Sequence, residues 1–130
     1  MKLEHATNLI ARGEEEARKQ GLNLAFAVVD DGGHLVALHR MDGAPWIAPE
    51  VAIGKAWTAA AYGAPSAAQG DKMKELHAFS ASISAATNGR FTPQIGGLPI
   101  TVDDEVIGAM GASGGTGQQD EDVVRAALSG

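Results

Sequence analysis

The fold class this chain predicts is α+β, an antiparallel sheet with helices packed on it, and three observations carry the prediction. Two pairs of β-forming runs are each joined by a short turn: residues 24–29 with 35–38 across Asp30-Asp31-Gly32-Gly33, and 95–102 with 106–113 across Asp103-Asp104-Glu105. Stretches with helical spacing precede, separate and follow those pairs. The 130 residues, 45% of them hydrophobic, suffice for one core, and no linker or internal repeat divides them, so residues 1–130 are read as a single domain.

Each element follows in order. Leu3, Ala6, Ile10, Gly13 and Ala17 recur at helical spacing among charged residues, which predicts an amphipathic helix from residue 3 to about 20, stopped at Gly21. Residues 24–29 are apolar on both faces, so this strand needs cover on both sides. In the next strand a period of two would place His34, Val36, Leu38 and Arg40 on one face and Leu35, Ala37, His39 and Met41 on the other. Met41-Asp42-Gly43-Ala44-Pro45 is a turn signature. Pro49 suits the first turn of a helix running to about Tyr62, with Ile53, Ala56, Trp57 and Ala60 as its apolar face and Lys55 among the small residues Ala52 and Ala59. Ser66 with Gln69 spells a capping box for a third helix reaching Met73, Leu76 and His77. Residues 77–88 read equally as helix or as irregular loop, ended by Asn88-Gly89. The acidic turn at 103–105 is expected to be solvated. A last helix, from about Asp120 to Leu128, takes Asp120 as its cap.

Composition excludes several functions. A formal net charge of −6 without any basic run argues against nucleic acid or an anionic membrane surface as partner. With no cysteine, disulfides, iron–sulfur clusters, thiolate haem ligation and cysteine nucleophiles are excluded together. No apolar run reaches signal-peptide or membrane-spanning length, so a soluble, cytoplasmic protein is expected. Aromatic residues make up only 5% while Ala and Gly abound, which predicts a core of closely approached backbone.

The chemistry-bearing residues are few. The stretch Gly111–Gly117 lies between strand and helix but lacks phosphate-loop spacing, and carboxylates open the helix it feeds, so its glycines are read as permitting close packing. The serine of Gly111-Ala112-Ser113-Gly114-Gly115 is not read as a nucleophile. Gly96-Gly97 before Leu98-Pro99 could turn backbone N–H groups toward a ligand oxygen, with Arg40, Lys55 and Arg90 as cationic partners. No His-x-x-His or HExxH spacing exists, so no metal site is expected from neighbouring ligands. With no CxxCH motif possible, any metal-bearing cofactor would be held without a covalent link, ligated by a histidine or methionine or by no strong protein ligand; His5, His34, His39 and His77 are the candidates, with His34 preferred because a hairpin fixes it.

The motifs VVDDGGHLVALHRMDGA from Val28, KAWTAA from Lys55, GGLPI from Gly96, IGAMGASGG from Ile107 and Asp120 at the last helix occur in order between Ala11 and Leu128. Together they resemble the GlcG/HbpS family, the haem-degrading domain that also forms the C-terminal domain of PduO-type proteins. The resemblance implies an α+β fold akin to profilin and roadblock modules, a multimeric assembly, and haem or a related tetrapyrrole as ligand; from the residues' own chemistry, His34, Gly96 and Gly97 are the candidates to bind it. It also adds weight to Lys55, because a lysine recurs in the KAxTA motif. A second reading is a cofactor-free enzyme acting on a small carboxylate or carbonyl metabolite with His34, Arg40 and Lys55, and a third is an accessory structural subunit. In the enzyme reading Arg40, Lys55 and Gly96-Gly97 converge on one anion, and Lys55→Met is expected to remove the charge at little cost in stability.

Overall fold

The computed structural model describes residues Met1–Gly130. Its elements are α1 (Leu3–Lys19), β1 (Ala25–Asp30), β2 (Leu35–Arg40), α2 (Ala48–Tyr62), α3 (Ser66–Lys72), α4 (His77–Ala86), β3 (Gly97–Val102), β4 (Glu105–Ser113) and α5 (Gly117–Ser129). The strands form one antiparallel sheet in the order β2-β1-β4-β3. The α+β class expected from the two hairpins is the class observed. Pro99 lies in β3, an edge strand, where its missing N–H costs no ladder bond.

Strand β1 is buried on both faces because helices cover both. Leu24, Phe26 and Val28 pack with α1 and α5, through Ile10, Leu9, Val123 and Val124, together with Met110, Leu98 and Ile100 of the neighbouring strands. Ala25, Ala27 and Val29 face α2 instead, against Ala48, Ala52, Ala56 and Ala59. The two sides differ in kind. Burying a Phe, Leu or Val side chain stabilises by about 1.5–3 kcal/mol, so the side with the large residues supplies most of the hydrophobic stabilisation. The alanine side is instead a close approach of backbones. Gly111 shows this: a Cβ there would run into the Ala52 carbonyl oxygen and lie 2.8 Å from the Ala56 nitrogen. The close packing expected of the glycine-rich strand end is therefore against α2.

Three local expectations change. A bulge in β2 pairs Val28 with Ala37 but Val29 with Leu35, so strict alternation fails: Leu35 joins the α2 side with Leu38, and Val36 packs toward the α1 side. Ser66 is not an N-cap; Pro65 holds that position, and the Ser66 hydroxyl accepts the Gly97 N–H at 2.9 Å and donates to the Gln94 carbonyl, pinning the segment before β3. The last helix starts earlier than expected, with a capping box between Thr116 and Gln119, which frees Asp120 for another role.

Residues 77–86 are helical, yet α4 buries no residue and packs on no other element. Helix α2, in contrast, is enclosed on its outer side too, where the Thr92 N–H donates to Thr58 Oγ1 at 2.8 Å. This strapping by residues 90–97 shapes the site described next.

Candidate functional site

Lys55 lies in the middle of α2, a helix whose outer face is strapped and whose inner face meets the sheet, so its side chain runs sideways toward the end of β4. The residue is 4% exposed and Asp120 is 1% exposed. The ammonium donates to the Ala112 carbonyl at 3.0 Å and to Asp120 Oδ2 at 3.1 Å. Asp120 Oδ1 accepts the Gly115 N–H at 2.9 Å. Both carboxylate oxygens are therefore engaged, and one lysine N–H has no protein partner. Burial raises the Asp120 pKa above its ordinary 3.8, outweighing the attraction of Lys55 and the Gly115 hydrogen bond.

Gly96 makes this geometry achievable. Its φ of +139° lies outside ordinary L-residue space, and a Cβ there would sit 2.7 Å from Lys55 Nζ and 2.8 Å from Cδ. The pair opens on a cavity of about 330 Å³ whose further walls include Val51, Gln94, Ile95 and Ser113. Gly96 and Lys55 thus come together as the sequence suggested. The nest does not form at Gly97, because its N–H is already taken by Ser66.

Arg40 does not join them. It lines a separate cleft of about 380 Å³ with Glu14, Arg18 and Asn23 near the end of β2. His34 lies elsewhere again, at the tip of the first hairpin. Asp30 Oδ1 accepts the backbone N–H groups of Gly32 and His34, each at 2.9 Å, and stands 3.2 Å from His34 Nδ1. The His34 N–H is the chief cause that holds the Asp30 carboxyl below 3.8; burial opposes it, and the Gly32 N–H and the neighbouring imidazole add to the lowering. The imidazole, 83% exposed, borders a cleft of about 490 Å³ that also contains Leu35, Ile53, Trp57, Glu50 and Arg90. Of the other histidines, His39 lies 3.3 Å from Glu14, His5 borders a groove with Arg12, and His77 opens the exposed α4.

Asp120, expected from the sequence as a helix cap, is instead the partner of Lys55. Trp57, expected on the apolar face of α2, lines the His34 cleft. Gly111-Ala112-Ser113-Gly114-Gly115 does spell G-x-S-x-G at a strand-to-helix turn, but the Ser113 hydroxyl makes no hydrogen bond to Lys55, Asp120 or a histidine, so no activated nucleophile results. No group of three or more His, Cys, Asp or Glu side chains could hold a metal ion, and no helix is long and apolar enough to cross a membrane.

The family model described as haem degrading protein HbpS-like matches residues 1–129. The chain belongs to the HbpS-like family. Within it, protein GlcG of Escherichia coli strain K12 is 41% identical over 108 residues, 83% of this chain and 77% of that protein. A double mutant of HbpS from Streptomyces reticuli superposes with a TM-score of 0.86 at 27% identity, covering 99% of this chain and 85% of the other. A structure of a PduOC:Heme complex superposes with a TM-score of 0.88 at 25% identity, covering 99% and 93%. The fold seen here is thus the family fold, and one member of it has been captured with haem.

Proposed function

We propose that the protein binds haem or a related tetrapyrrole without a covalent link, in the cleft between the first hairpin and α2. The observation that carries this is the His34–Asp30 pair. A carboxylate accepting from Nδ1–H holds the imidazole in the tautomer whose Nε2 lone pair is available, as in histidines that ligate a metal. The cleft fits the rest of the group in chemistry: Trp57 offers a flat apolar face, Leu35 and Ile53 extend it, and Arg90 is a cation for a propionate. His34 would hold the iron, and the bound group would supply redox chemistry or serve as cargo. The capture of haem by a PduOC relative supports the ligand class.

Self-association belongs to the same reading. The α4 surface with Leu76 and Phe79, and the loop with Trp46 at 80% and Ile47 at 54% exposure, leave apolar area that a second copy would cover.

The test is a hemin titration followed in the Soret region. Saturation near one hemin per chain, with a clear loss of affinity in His34→Ala and a smaller loss in Asp30→Asn, is the expected outcome. Equal spectra and affinity across His5→Ala, His34→Ala, His39→Ala and His77→Ala would reduce hemin uptake to adsorption on apolar surface.

A further inference from the structure

The Lys55–Asp120 pair is not used by the haem cleft, and its burial calls for a reason. Taking two charges out of water costs several kcal/mol per ion, and the attraction regained is rarely a net gain over an apolar pair of the same volume. Tying the glycine-rich turn to α2 is a structural return, but a neutral hydrogen-bonding pair would give it too. What an ion pair adds is a proton acceptor and a proton donor at one place, and these two stand at the wall of a cavity.

We propose that this cavity is a second, catalytic site, in which Asp120 and Lys55 enolise a short, uncharged hydroxycarbonyl compound. The charge balance selects the substrate class. Lys55 and Asp120 neutralise each other, and no other charged side chain lines the cavity, so a substrate carboxylate would face Asp120 without compensation. A neutral carbonyl oxygen needs only a hydrogen bond, and the unpartnered N–H of Lys55 can donate it. The volume, about 330 Å³, holds roughly ten water-sized volumes, which suits a compound of few carbons.

The step balances without any cofactor. Asp120 takes the proton from the carbon next to the carbonyl, the electron pair of that C–H bond becomes the C=C of an enediol, and the carbonyl π pair moves onto oxygen, where the Lys55 ammonium stabilises or protonates it. Return of the proton to the same carbon, with the enol hydroxyl giving its proton back to Lys55, regenerates the ketone; its delivery to the former carbonyl carbon, while the other hydroxyl gives up its proton to Lys55 and becomes the new carbonyl, gives the isomeric hydroxyaldehyde. No oxidant, reductant or leaving group is involved. Burial supports the acceptor's role, since a carboxylate of raised pKa is a stronger base than one in water. Gly96 acts as the positioning residue, because only a residue without a side chain leaves Lys55 in place.

The experiment uses hydroxyacetone in deuterium oxide, with loss of the hydroxymethylene proton signal followed by NMR. The wild-type chain should accelerate exchange above the buffer rate. Asp120→Asn, which keeps the acceptor for the Gly115 N–H, should lower that acceleration by about a hundredfold or more. Val51→Phe, which fills the cavity and leaves the pair untouched, should also abolish it, with circular dichroism melts checking that each variant is folded at the assay temperature. Exchange by the wild type at the buffer rate overturns the proposal. So does exchange that persists undiminished in Asp120→Asn or in Val51→Phe.

Discussion

Replacing Lys55 by methionine isolates the energetics of the buried pair, and the structure reverses the small cost that the lysine alone suggests. Methionine keeps most of the stem, so packing changes little, but Asp120 is left 1% exposed without its counter-charge. Breaking one partner out of a buried pair costs about 3–5 kcal/mol. A ceiling applies, because Asp120 can escape by taking up a proton. At 1.36 kcal/mol per pH unit, holding a carboxyl of ordinary pKa 3.8 neutral at pH 7 costs about 4 kcal/mol. The expected loss at pH 7 is therefore about 3–4 kcal/mol, a large part of the stability of a domain this size.

The sign of the pH dependence distinguishes this origin from any packing defect. In Lys55→Met the folded Asp120 pKa is raised further above the unfolded value. The difference from wild type is then smallest at acid pH, where Asp120 is protonated in both proteins, grows by about 1.4 kcal/mol per unit as pH rises from the already raised wild-type folded value to the higher variant one, and levels off above that. Urea unfolding of wild type and variant from pH 4.5 to 8 measures the difference at each pH. The double replacement Lys55→Met with Asp120→Leu should recover most of the loss, short of about 1 kcal/mol for the Gly115 N–H left unpaired. A pH-independent difference, or one under about 1 kcal/mol at pH 7, would refute the reasoning.

Three further outcomes are expected. Asp30 contributes stability that is present above 3.8 and is lost as pH falls through its lower folded value, so the amide protons of Gly32 and His34 should lose protection from exchange in that acid range before the core does; uniform loss would contradict it. Gly111→Ala should destabilise by about 1–3 kcal/mol by forcing α2 off the sheet, read as a lowered urea midpoint with unchanged slope. Sedimentation should give a mass well above 13.3 kDa that falls in Phe79→Asp, whereas a monomeric wild type would leave α4 without a partner of its own kind.

The sheet was legible because its determinants are local. Each hairpin carries its own turn chemistry: Gly33 takes a φ of +82°, and Asp103 and Asp104 take +52° and +63°, the pair of positive angles that a two-residue hairpin turn requires. The unbroken apolar run of β1 announced its double cover in the same way. The register of β2 was not legible, since a bulge inserts one residue without any mark in composition, and every side chain beyond it changes face. Residues 77–86 stayed ambiguous for a related reason: a stretch with no buried face writes no periodicity into its sequence.

The site was legible only by halves. Lys55 and Gly96 stood out, one as a long cation among alanines and the other as a glycine pair before a strand, but what joins them is steric and depends on a Cβ that is absent. Asp120 was hidden by an equally good local explanation, since a carboxylate in the first turn of a helix already has a use. The capping box of Thr116 and Gln119 removes that use, because the helix end is satisfied without it. Where two local devices are available to cap one helix, the one left over is free for something distant, and here the distance is 65 residues along the chain. That surplus argues that Asp120 is held for Lys55 and the cavity, and not for the helix it stands on.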